Sequence, residues 1–576
     1  MGASLLLPDV LRARALREPA RTAYVLLDEY GEQTATLTYA DLHARALAVA
    51  GLLARHCEPG ARALLLFPQG LDFIVAYFGC LYARVIAVPV SPPRRDHVQD
   101  ATMRIVRDCE PAVVLTDGAM RRAAGATLGP HCGPAVWLRV DEVTGDQAAA
   151  VDVEPAACSP QDVAFLQYTS GSTADPKGVM VTHGNLVANE RMIEHAFGHD
   201  RDTTVVGWAP LFHDQGLIGN VLQPLTVGAR CVLMSPTAFI RRPLLWLTAI
   251  SRYRAHTSGG PNFAYDACVA KAARSGPQAL EGLDLSCWKV AFDGAEPIRP
   301  ATLRAFAAAF APVGFDERAL YPCYGLAEAT LYVTGSGKGR GPRLLDADTE
   351  ALRAGRLLPA APGPGASLLA GSGVVPPQVT VRIVDPGSGR ERPSGQVGEI
   401  WVAGPNVAAG YWRRPEASAA TFQARCLDDP EHAYLRTGDL GVLVDGELVV
   451  VGRLKDMVII RGRNHFPQDI ERTAQSAHPA LREGGCAAFS VTQAGLERLV
   501  VVQEIRGDHR RSADAAQVAA SVRAAVTREH QVSVGDLLLT VPGALDKTTS
   551  GKIMRAAARA RYLAAGFEVW SGGPDR

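Results

Sequence analysis

Short apolar runs alternate with longer helical patterns through the first three quarters of the chain, and this alternation limits the fold more than any other feature. ARALLLF (61–67) has the composition of a buried strand, GLDFIVAYFGCLYAR (70–84) that of a buried helix, and VIAVPVSPP (85–93) that of a strand ended by prolines. Further strand patterns lie at 111–117, 162–170, 203–210, 230–236 and 288–294, and helical patterns at 242–255 and 262–274. Strands that alternate with helices predict largely parallel sheets covered by helices on both faces.

The pattern changes after residue 335. Residues 336–376 are rich in Gly, Pro and Ala and show little strand pattern, so we expect a long loop or insertion there. The runs QVTVRIVDP, GEIWVAG, YLRTGDLG and GELVVVGR between 378 and 453 then indicate antiparallel strands joined by Gly and Asp turns. From about residue 456 onward, mixed strand and helix patterns predict a small α+β domain.

Composition excludes several classes of function. A chain of 576 residues is too long for one hydrophobic core, and its 59 Lys plus Arg balance its 59 Asp plus Glu, which gives no basic field for nucleic acid. The eleven cysteines contain no C-x-x-C pair, so a reduced, cytoplasmic protein is expected. Neither a signal peptide nor an apolar run of roughly 20 residues is present, so no membrane span is expected.

A loop rich in hydroxyls and glycine, YTSGSTADPKG (168–178), has the chemistry of a phosphate site. Backbone N–H groups, the hydroxyls of Thr169, Ser170, Ser172 and Thr173, and the charge of Lys177 are all suited to phosphate oxygens. Pro176 and Gly178 depart from the Walker A pattern, so a P-loop NTPase is excluded. A solvated surface loop is the alternative that the loop alone leaves open.

Five further motifs follow in order and decide the interpretation of this loop. They are DGAEP (293–297), YPCYGLAEAT (321–330), YLRTGDLG (434–441), GRLKDMVIIRGRNHFPQDIE (452–471) and TTSGKIMR (548–555). Together with the loop, they resemble the adenylate-forming superfamily of acyl-CoA synthetases, peptide-synthetase adenylation domains and luciferases. APLFHDQGLIGNVLQPL (209–225), SGGPNFAYD (258–266) and YGLAEATLY (324–332) resemble most closely the fatty acyl-AMP ligases. The resemblance covers essentially the whole chain.

The resemblance implies an α/β fold with two domains. It implies a large N-terminal domain, 1–452, of two α/β sheets plus a small distorted β-barrel, and a small mobile α+β C-terminal domain, 457–576. The hinge is expected at 453–456 around Lys455. The segment 336–376 falls near the extra segment that fatty acyl-AMP ligases carry, which is associated with poor use of coenzyme A.

The resemblance also implies an ATP site with Mg²⁺. Lys177 and its loop, including Gly171, would hold the β,γ-phosphates, and Glu328 would bind the metal. Tyr324 and Gly325 would lie at the adenine, which the backbone of Asp293, Gly294 and Ala295 approaches closely. Asp439 would accept hydrogen bonds from the ribose with help from Arg453. A core tyrosine, a surface glutamate and a turn-forming aspartate are the respective alternatives for Tyr324, Glu328 and Asp439.

The remaining implied residues serve the acid. Lys552 would be the principal catalytic lysine, bridging carboxylate and α-phosphate oxygens, whereas Lys547 is expected to be a solvated charge. His213 would help to orient the carboxylate; with Asp214 alone it is too sparse for a metal site. The aromatic residues Trp208, Phe212, Phe263 and Tyr265 would line the acyl channel or, equally, belong to the core.

The reaction implied is ATP-dependent activation of a medium- or long-chain fatty acid, followed by transfer to the phosphopantetheine thiol of an acyl carrier protein supplied in trans. One alternative is an acyl-CoA synthetase that releases to coenzyme A. Another is a non-catalytic nucleotide-binding module, which the intact Lys177, Glu328, Asp439 and Lys552 disfavour.

Overall fold

The structure, a computed structural model, describes residues 5–93, 98–143, 157–169, 176–460, 463–493, 496–548 and 552–572. The strands are β1 (Thr22–Leu27), β2 (Gln33–Thr38), β3 (Arg62–Leu66), β4 (Ile86–Pro89), β5 (Val113–Thr116), β6 (Val136–Arg139), β7 (Val163–Thr169), β8 (Lys177–Thr182), β9 (Thr204–Gly207), β10 (Arg230–Leu233), β11 (Thr257–Gly260), β12 (Val290–Asp293), β13 (Leu320–Gly325), β14 (Tyr332–Gly335), β15 (Leu344–Asp348), β16 (Ala366–Ala370), β17 (Thr380–Val384), β18 (Gly398–Ala403), β19 (Ala424–Cys426), β20 (Asp429–Val444), β21 (Glu447–Arg453), β22 (Val458–Ile460), β23 (Arg463–His465), β24 (Leu481–Gln493), β25 (Leu496–Ile505) and β26 (Val534–Thr540).

The α-helices are α1 (Leu7–Arg17), α2 (Tyr39–Leu53), α3 (Leu71–Tyr82), α4 (Asp100–Cys109), α5 (Gly118–Leu128), α6 (His183–Phe197), α7 (Gln223–Val227), α8 (Pro236–Arg241), α9 (Pro243–Tyr253), α10 (Asn262–Ser275), α11 (Pro300–Phe310), α12 (Thr349–Arg353), α13 (Pro415–Phe422), α14 (Pro467–Ser476), α15 (Ala515–His530) and α16 (Arg555–Leu563). A π-helical segment, Gln215–Leu222, precedes α7. Within the part of the chain that the structure describes, no helix is both long and apolar enough to cross a membrane.

Two mostly parallel sheets form the first part of the molecule, as predicted. One has the order β14-β13-β12-β11-β9-β10-β1-β2 and the other β6-β5-β3-β4-β7-β8. Among the described residues of these two sheets, the antiparallel pairs β1–β2, β13–β14 and β7–β8 all lie at sheet edges. The predicted unit over 61–93 is confirmed, because β3 and β4 pair in parallel and α3 connects them.

The main core lies between these two sheets. It combines Leu65 of β3 and Val205 of β9 with apolar residues of α2, α3 and α6. Every residue of α3 except Asp72 is buried, which is expected of a helix that is apolar all round. Asp72 reaches Arg45 of α2 at 2.6 Å.

A capping box fixes the start of α6, directly after β8. The Thr182 hydroxyl accepts from the Asn185 N–H, and the Asn185 side chain accepts from the Thr182 N–H. The Asn185 amide nitrogen also donates to the carbonyl oxygens of Pro405 and Val407, at 2.9 and 2.8 Å. The cap therefore joins the end of the β7–β8 hairpin to the segment that follows β18.

The strands between residues 378 and 453 pair antiparallel, as predicted. The expected small barrel is a five-stranded sheet of order β17-β18-β20-β19, with β21 also paired to β20. The small lobe, by which we mean residues 457–572, contains the β22–β23 hairpin and the sheet β24-β25-β26. Helices α14 and α15 supply buried residues to the core of this lobe.

Residues 336–376 differ from the expectation of a loop with little strand pattern. β15 and β16 form an antiparallel hairpin through this segment, and α12 follows β15. Most hairpin positions are only half-buried, so the apolar alternation that marks a strand is weak. Gly355, Gly363 and Gly365 between the strands have positive φ, which gives the segment its loop-like composition.

Candidate active site

The carboxyl ends of four neighbouring strands form the floor of the candidate site. Trp208 follows β9, Gly260 ends β11, Asp293 ends β12 and Tyr324 lies near the end of β13. These strands run in parallel, with Gly260 in register with Asp293, and Asp293 with Pro322. Ligands of open α/β sheets bind outside such strand ends. The fold therefore brings Trp208 and Tyr324, which are 116 positions apart in the sequence, to the same edge of the sheet.

Asp439 lies at the centre of one predicted group. On the β20–β21 ladder it pairs with Arg453, whose Nε donates to Asp439 Oδ1 at 2.9 Å. The Tyr324 hydroxyl donates to Asp439 Oδ2 at 2.8 Å. Burial and the adjacent Asp439 carboxylate raise the pKa of Tyr324 well above its usual value, so its hydroxyl keeps its proton. Three residues predicted at the nucleoside thus form one contact group.

Glu328 and Lys177 meet through a residue that the sequence did not single out, Tyr411. The Tyr411 hydroxyl donates to Glu328 Oε1 at 2.9 Å, and Lys177 Nζ lies 4.6 Å from the centre of the Tyr411 ring. Burial raises the pKa of Glu328, and the Tyr411 hydrogen bond and the Arg453 charge oppose the rise. Tyr411 reaches this place through a bridge to Val179 of β8, a long-range pairing with no local sequence signal.

Part of the predicted phosphate loop lies outside the described residues. Ser170, Gly171, Ser172 and Thr173 belong to that part. Its flanks, Thr169 and Lys177, face each other in register where β7 and β8 end and begin. Lys177 is half-buried there, and its Nζ lies over the ring of Tyr411, whose hydroxyl donates to Glu328.

Lys552 extends the site from the small lobe. Its N–H donates to the Thr548 hydroxyl at 3.0 Å, and its carbonyl oxygen accepts from the Thr548 N–H at 2.8 Å. Burial and the Arg453 guanidinium lower the pKa of Lys552, whereas the carboxyl groups of Glu296, Asp214 and Asp439 oppose the fall. Lys547 is exposed and donates instead to the Gly484 carbonyl oxygen at 2.7 Å.

His213 contacts Asp214 at the start of the π-helical segment. His213 Nδ1 is paired with Asp214 Oδ1, which also accepts from the Gln215 N–H at 2.7 Å. Burial alone would raise the pKa of Asp214, but His213, the Gln215 N–H and Lys552 outweigh it and lower the pKa. Asp214 therefore stays ionised, because it interacts with both His213 and Lys552.

The backbone of the DGAEP motif approaches its neighbours closely. A Cβ on Gly294 would lie 2.9 Å from Cys323 Sγ, and one on Gly325 only 1.7 Å from the Leu331 carbonyl oxygen. Ala295 has φ 67°, an uncommon conformation for a residue other than glycine. Such strain is often stored at functional sites, where the surrounding structure holds it.

The four predicted acyl-site aromatics separate into different environments. Trp208 and Phe263 lie edge to face, with ring centres 6.0 Å apart, beside strand ends that carry the site. Phe212 is half-buried, and its carbonyl oxygen accepts from Gln167. Tyr265 packs among Trp246, Trp288 and Phe306, and its hydroxyl donates to the Phe292 carbonyl oxygen at 2.7 Å. Tyr265 thus supports the sheet from within the core.

A family model of AMP-binding enzymes matches residues 11–412, and a model of the AMP domain of Disco-interacting protein 2-like proteins matches residues 455–571. The chain belongs to the AMP-binding, adenylate-forming enzymes. This AMP-binding enzyme is 41% identical to the medium-chain-fatty-acid–[acyl-carrier-protein] ligase JamA of Moorena producens, over 98% of this chain and 96% of that protein. It is 40% identical to the long-chain-fatty-acid–AMP ligase FadD26 of Mycobacterium marinum, over 97% and 98% of the two chains.

Solved structures of similar proteins share the fold of this AMP-binding enzyme. The fatty acyl-adenylate ligase of L. pneumophila, in complex with acyl adenylate and pyrophosphate, is 39% identical, with a TM-score of 0.76 over 98% of both chains. A structure from work on fatty acyl-adenylate ligases of E. coli and L. pneumophila is 32% identical, with a TM-score of 0.85 over 97% of this chain and 98% of that chain.

Proposed function

We propose that this AMP-binding enzyme activates a medium- or long-chain fatty acid and passes it to an acyl carrier protein. The observation that carries the proposal is the position of Lys552. This residue belongs to the small lobe, but its ammonium interacts with the carboxyl groups of Asp214, Glu296 and Asp439 in the strand-end site. The fatty-acid ligases among its relatives support the class of substrate and acceptor.

The proposed chemistry has two balanced steps. A carboxylate oxygen of the acid attacks the α-phosphorus of ATP, the bond from that phosphorus to the α–β bridging oxygen breaks, and pyrophosphate leaves with the electron pair. The thiol sulfur of phosphopantetheine then attacks the acyl carbon, AMP leaves, and the thiol proton is released. Positioned cations must offset the repulsion between an anionic nucleophile and a polyanion in the first step.

The residues have distinct proposed roles in the first step. Lys177 holds the β,γ-phosphates, Tyr324 lies against adenine, and Asp439 with Arg453 binds the ribose hydroxyls. Lys552 bridges the incoming carboxylate and the α-phosphate, and His213 orients the acid. The Asp439 carboxylate already accepts from both Tyr324 and Arg453, so it is held in place before a ribose hydroxyl arrives.

Glu328 suits a Mg²⁺ ion whose other ligands come from ATP and water. The described residues contain no cluster of three or more His, Cys, Asp or Glu side chains that could hold a metal. Mg²⁺ suits a single protein carboxylate because it commonly takes its other ligands from phosphates and water. When bound, the ion would neutralise charge on the phosphates. The eleven cysteines include no C-x-x-C pair, so the cytoplasm, where thiols stay reduced, is the proposed location.

The deciding experiment offers ATP, Mg²⁺ and a series of radiolabelled fatty acids, with coenzyme A, a phosphopantetheinylated carrier protein or neither. We expect acyl-AMP and pyrophosphate without an acceptor, acyl transfer to the carrier protein, and no change with coenzyme A. Efficient acyl-CoA formation would instead identify an acyl-CoA synthetase. No pyrophosphate with any acid would leave the non-catalytic nucleotide-binding module as the better description.

A further inference from the structure

Asp293, the last residue of β12, is a fully buried acid whose hydrogen bonds are not satisfied. Its exposed fraction is 0%, and neither Oδ1 nor Oδ2 has a partner among the residues that the structure describes. Most buried polar side chains in folded proteins have at least one partner. A carboxyl group with two open oxygens, at the edge of a ligand site, indicates a partner that binds there.

The sheet register shows which side of β12 Asp293 faces. Gly260 is its partner on the parallel neighbour β11, so the two residues point to the same face. A Cβ on Gly260 would lie 2.5 Å from Cζ2 of Trp208, which places the indole on that face. Phe292, one residue earlier, points the other way and stacks on Phe197. Asp293 and Trp208 therefore occupy the same side of the sheet.

Trp208 brings a second unsatisfied polar atom to this face. Its Nε1 is buried and has no hydrogen-bond partner within the described residues. The rest of the indole is apolar surface: Phe239 stacks on it with ring centres 4.1 Å apart, and Phe263 lies edge-on at 6.0 Å. The open polar atoms thus lie in an aromatic region that is otherwise suited to an alkyl chain.

The charges around Asp293 favour its protonated form. Burial raises its pKa well above the usual value, and the Glu296 and Asp266 carboxyls raise it further. Arg299 opposes the rise, but its guanidinium is paired with Asp266. Tyr265 and Cys323, the other titratable neighbours, also have raised pKa values because they are buried.

Among the groups that a ligand could offer, a hydroxyl best matches the hydrogen-bonding atoms of Asp293 and Trp208. A protonated carboxyl offers one donor and one acceptor, and the indole N–H offers one donor. A hydroxyl accepts two hydrogen bonds and donates one, which matches this set. A methylene chain would leave all of these atoms unsatisfied. An ammonium group would call for an ionised carboxylate, which the surroundings disfavour.

We propose that the acid this enzyme activates carries a hydroxyl group on its chain, and that Asp293 and Trp208 bind that hydroxyl. Asp293 is then the residue that distinguishes a hydroxylated acid from a plain one. The inference rests on the proposed function, since it names the substrate class of the same site.

The test measures pyrophosphate release with plain acids of eight to twelve carbons and with their monohydroxylated positional isomers. We expect one hydroxyl position to raise kcat/KM about tenfold or more over the plain acid, because a site with hydrogen-bonding groups rejects the analogue that lacks the partner. Trp208→Phe, which removes the N–H, should reduce this preference. Asp293→Leu should abolish it, so that the ratio of kcat/KM between the hydroxylated and the plain acid falls to about one.

Two controls make the result specific. Asp293→Asn keeps a donor and an acceptor, so it should keep part of the preference. Glu190→Gln changes another fully buried acid with an unpartnered oxygen, Oε1, on α6; it should keep the full preference. Calorimetric titration with the acids provides an independent measure of binding.

Several outcomes would overturn the inference. Plain acids could match or exceed every hydroxylated isomer in the unmodified enzyme, which would mean that a buried water satisfies Asp293. The preference could also survive in Asp293→Leu. If that variant does not fold, the isomer series and Trp208→Phe still decide. Failure of the proposed function is a different result, because then no acid of either kind releases pyrophosphate.

Discussion

At the residue scale, the site contains charged side chains that are stabilised by nearby groups of opposite charge and destabilised by burial. Lys552 carries its ammonium into a region where burial and Arg453 disfavour the charge and three carboxyl groups favour it. ATP and a fatty carboxylate would add several negative charges to this region. In the proposed reaction, the lysine would therefore lie where negative charge increases, which is the condition for electrostatic catalysis.

Lys552→Ala should lower the rate of acyl-AMP formation about 10²–10³-fold, as removal of one positioned donor does in other enzymes. The measurement is pyrophosphate release at saturating ATP and acid. Lys547→Ala is the matched control, because Lys547 lies in the same segment but donates to the Gly484 carbonyl oxygen. Equal losses in the two variants would contradict the role of Lys552.

Asp293→Asn should stabilise the protein increasingly as the pH rises. Because the folded-state pKa of Asp293 is raised, its contribution to the free energy of unfolding is complete below the unfolded pKa of about 3.9 and is lost as pH rises toward the folded pKa. Asparagine cannot ionise, so its gain over aspartate should grow by about 1.4 kcal/mol for each pH unit in that window. Chemical unfolding between pH 4.5 and 7.5 measures this.

Asp284 provides a control, because its pKa is shifted in the opposite direction from that of Asp293. Hydrogen bonds from Ser286 and Arg254 lower its pKa to about 2, so its contribution is present at neutral pH and lost as pH falls. Asp284→Asn should therefore destabilise the protein at pH 7 and have less effect in acid. A gain for Asp293→Asn that is the same at every pH would mean that Asp293 does not titrate abnormally.

At the element scale, one tyrosine connects the two parts of the chain that carry the proposed phosphate lysine and the proposed metal carboxylate. Tyr411 pairs by its backbone with β8 and by its hydroxyl with Glu328, which lies on a short 3-10 turn, Ala327–Ala329. Its ring also lies beneath the Lys177 ammonium. Tyr411 therefore contacts both Lys177, the proposed phosphate lysine, and Glu328, the proposed metal carboxylate.

Tyr411→Phe should keep the ring beneath Lys177 and release Glu328. We expect kcat/KM for ATP to fall about tenfold, the loss typical of a hydrogen bond to a charged group, and the Mg²⁺ concentration needed for half-maximal rate to rise. Tyr434→Phe is the control, since the Tyr434 hydroxyl donates to Asp429 at 2.6 Å in the antiparallel sheet. An unchanged Mg²⁺ dependence in Tyr411→Phe would refute the positioning role.

The predictability of these elements follows from how locally each is encoded. The β3–α3–β4 unit was predictable because its apolar periodicity lies within some thirty consecutive residues. The β15–β16 hairpin was not, because its strands are half-exposed and separated by a glycine-rich stretch. Tyr411 and the open oxygens of Asp293 were also missed, because each depends on which distant residues are, or are not, neighbours in space.

At the scale of the whole molecule, the segment 336–376 contacts the small lobe. Arg353 at the end of α12 donates to the Glu529 carbonyl oxygen near the end of α15, at 2.9 Å. Glu350, on the same helix, lies 3.9 Å from Arg463 of β23. The hairpin segment is thus linked to the lobe that carries Lys552, and it is placed where it would resist displacement of that lobe.

Arg353→Ala should loosen this link. Loss of one hydrogen bond of ordinary strength would shift the balance of lobe positions up to about tenfold, so acyl-CoA formation should increase by a few-fold at most. The measurements are the ratio of acyl-CoA to acyl-AMP and hydrogen exchange at the end of α15. Arg356→Ala, at an exposed position of the same segment, is the control. Slower exchange in Arg353→Ala would contradict the link.

The pairing of Asp439 with Arg453 ends the β20–β21 ladder two residues before Lys455. A rotation of the backbone at Lys455 would leave Asp439, Arg453 and Tyr324 where they are and carry Lys552 away. The residues proposed to bind the ribose, Asp439 and Arg453, would then be separated from Lys552, the residue proposed to catalyse the reaction at phosphorus. The acyl-adenylate would stay bound while Lys552, the proposed catalyst of its return to ATP, lies elsewhere. The enzyme would then hold one activated acid until an acceptor arrives.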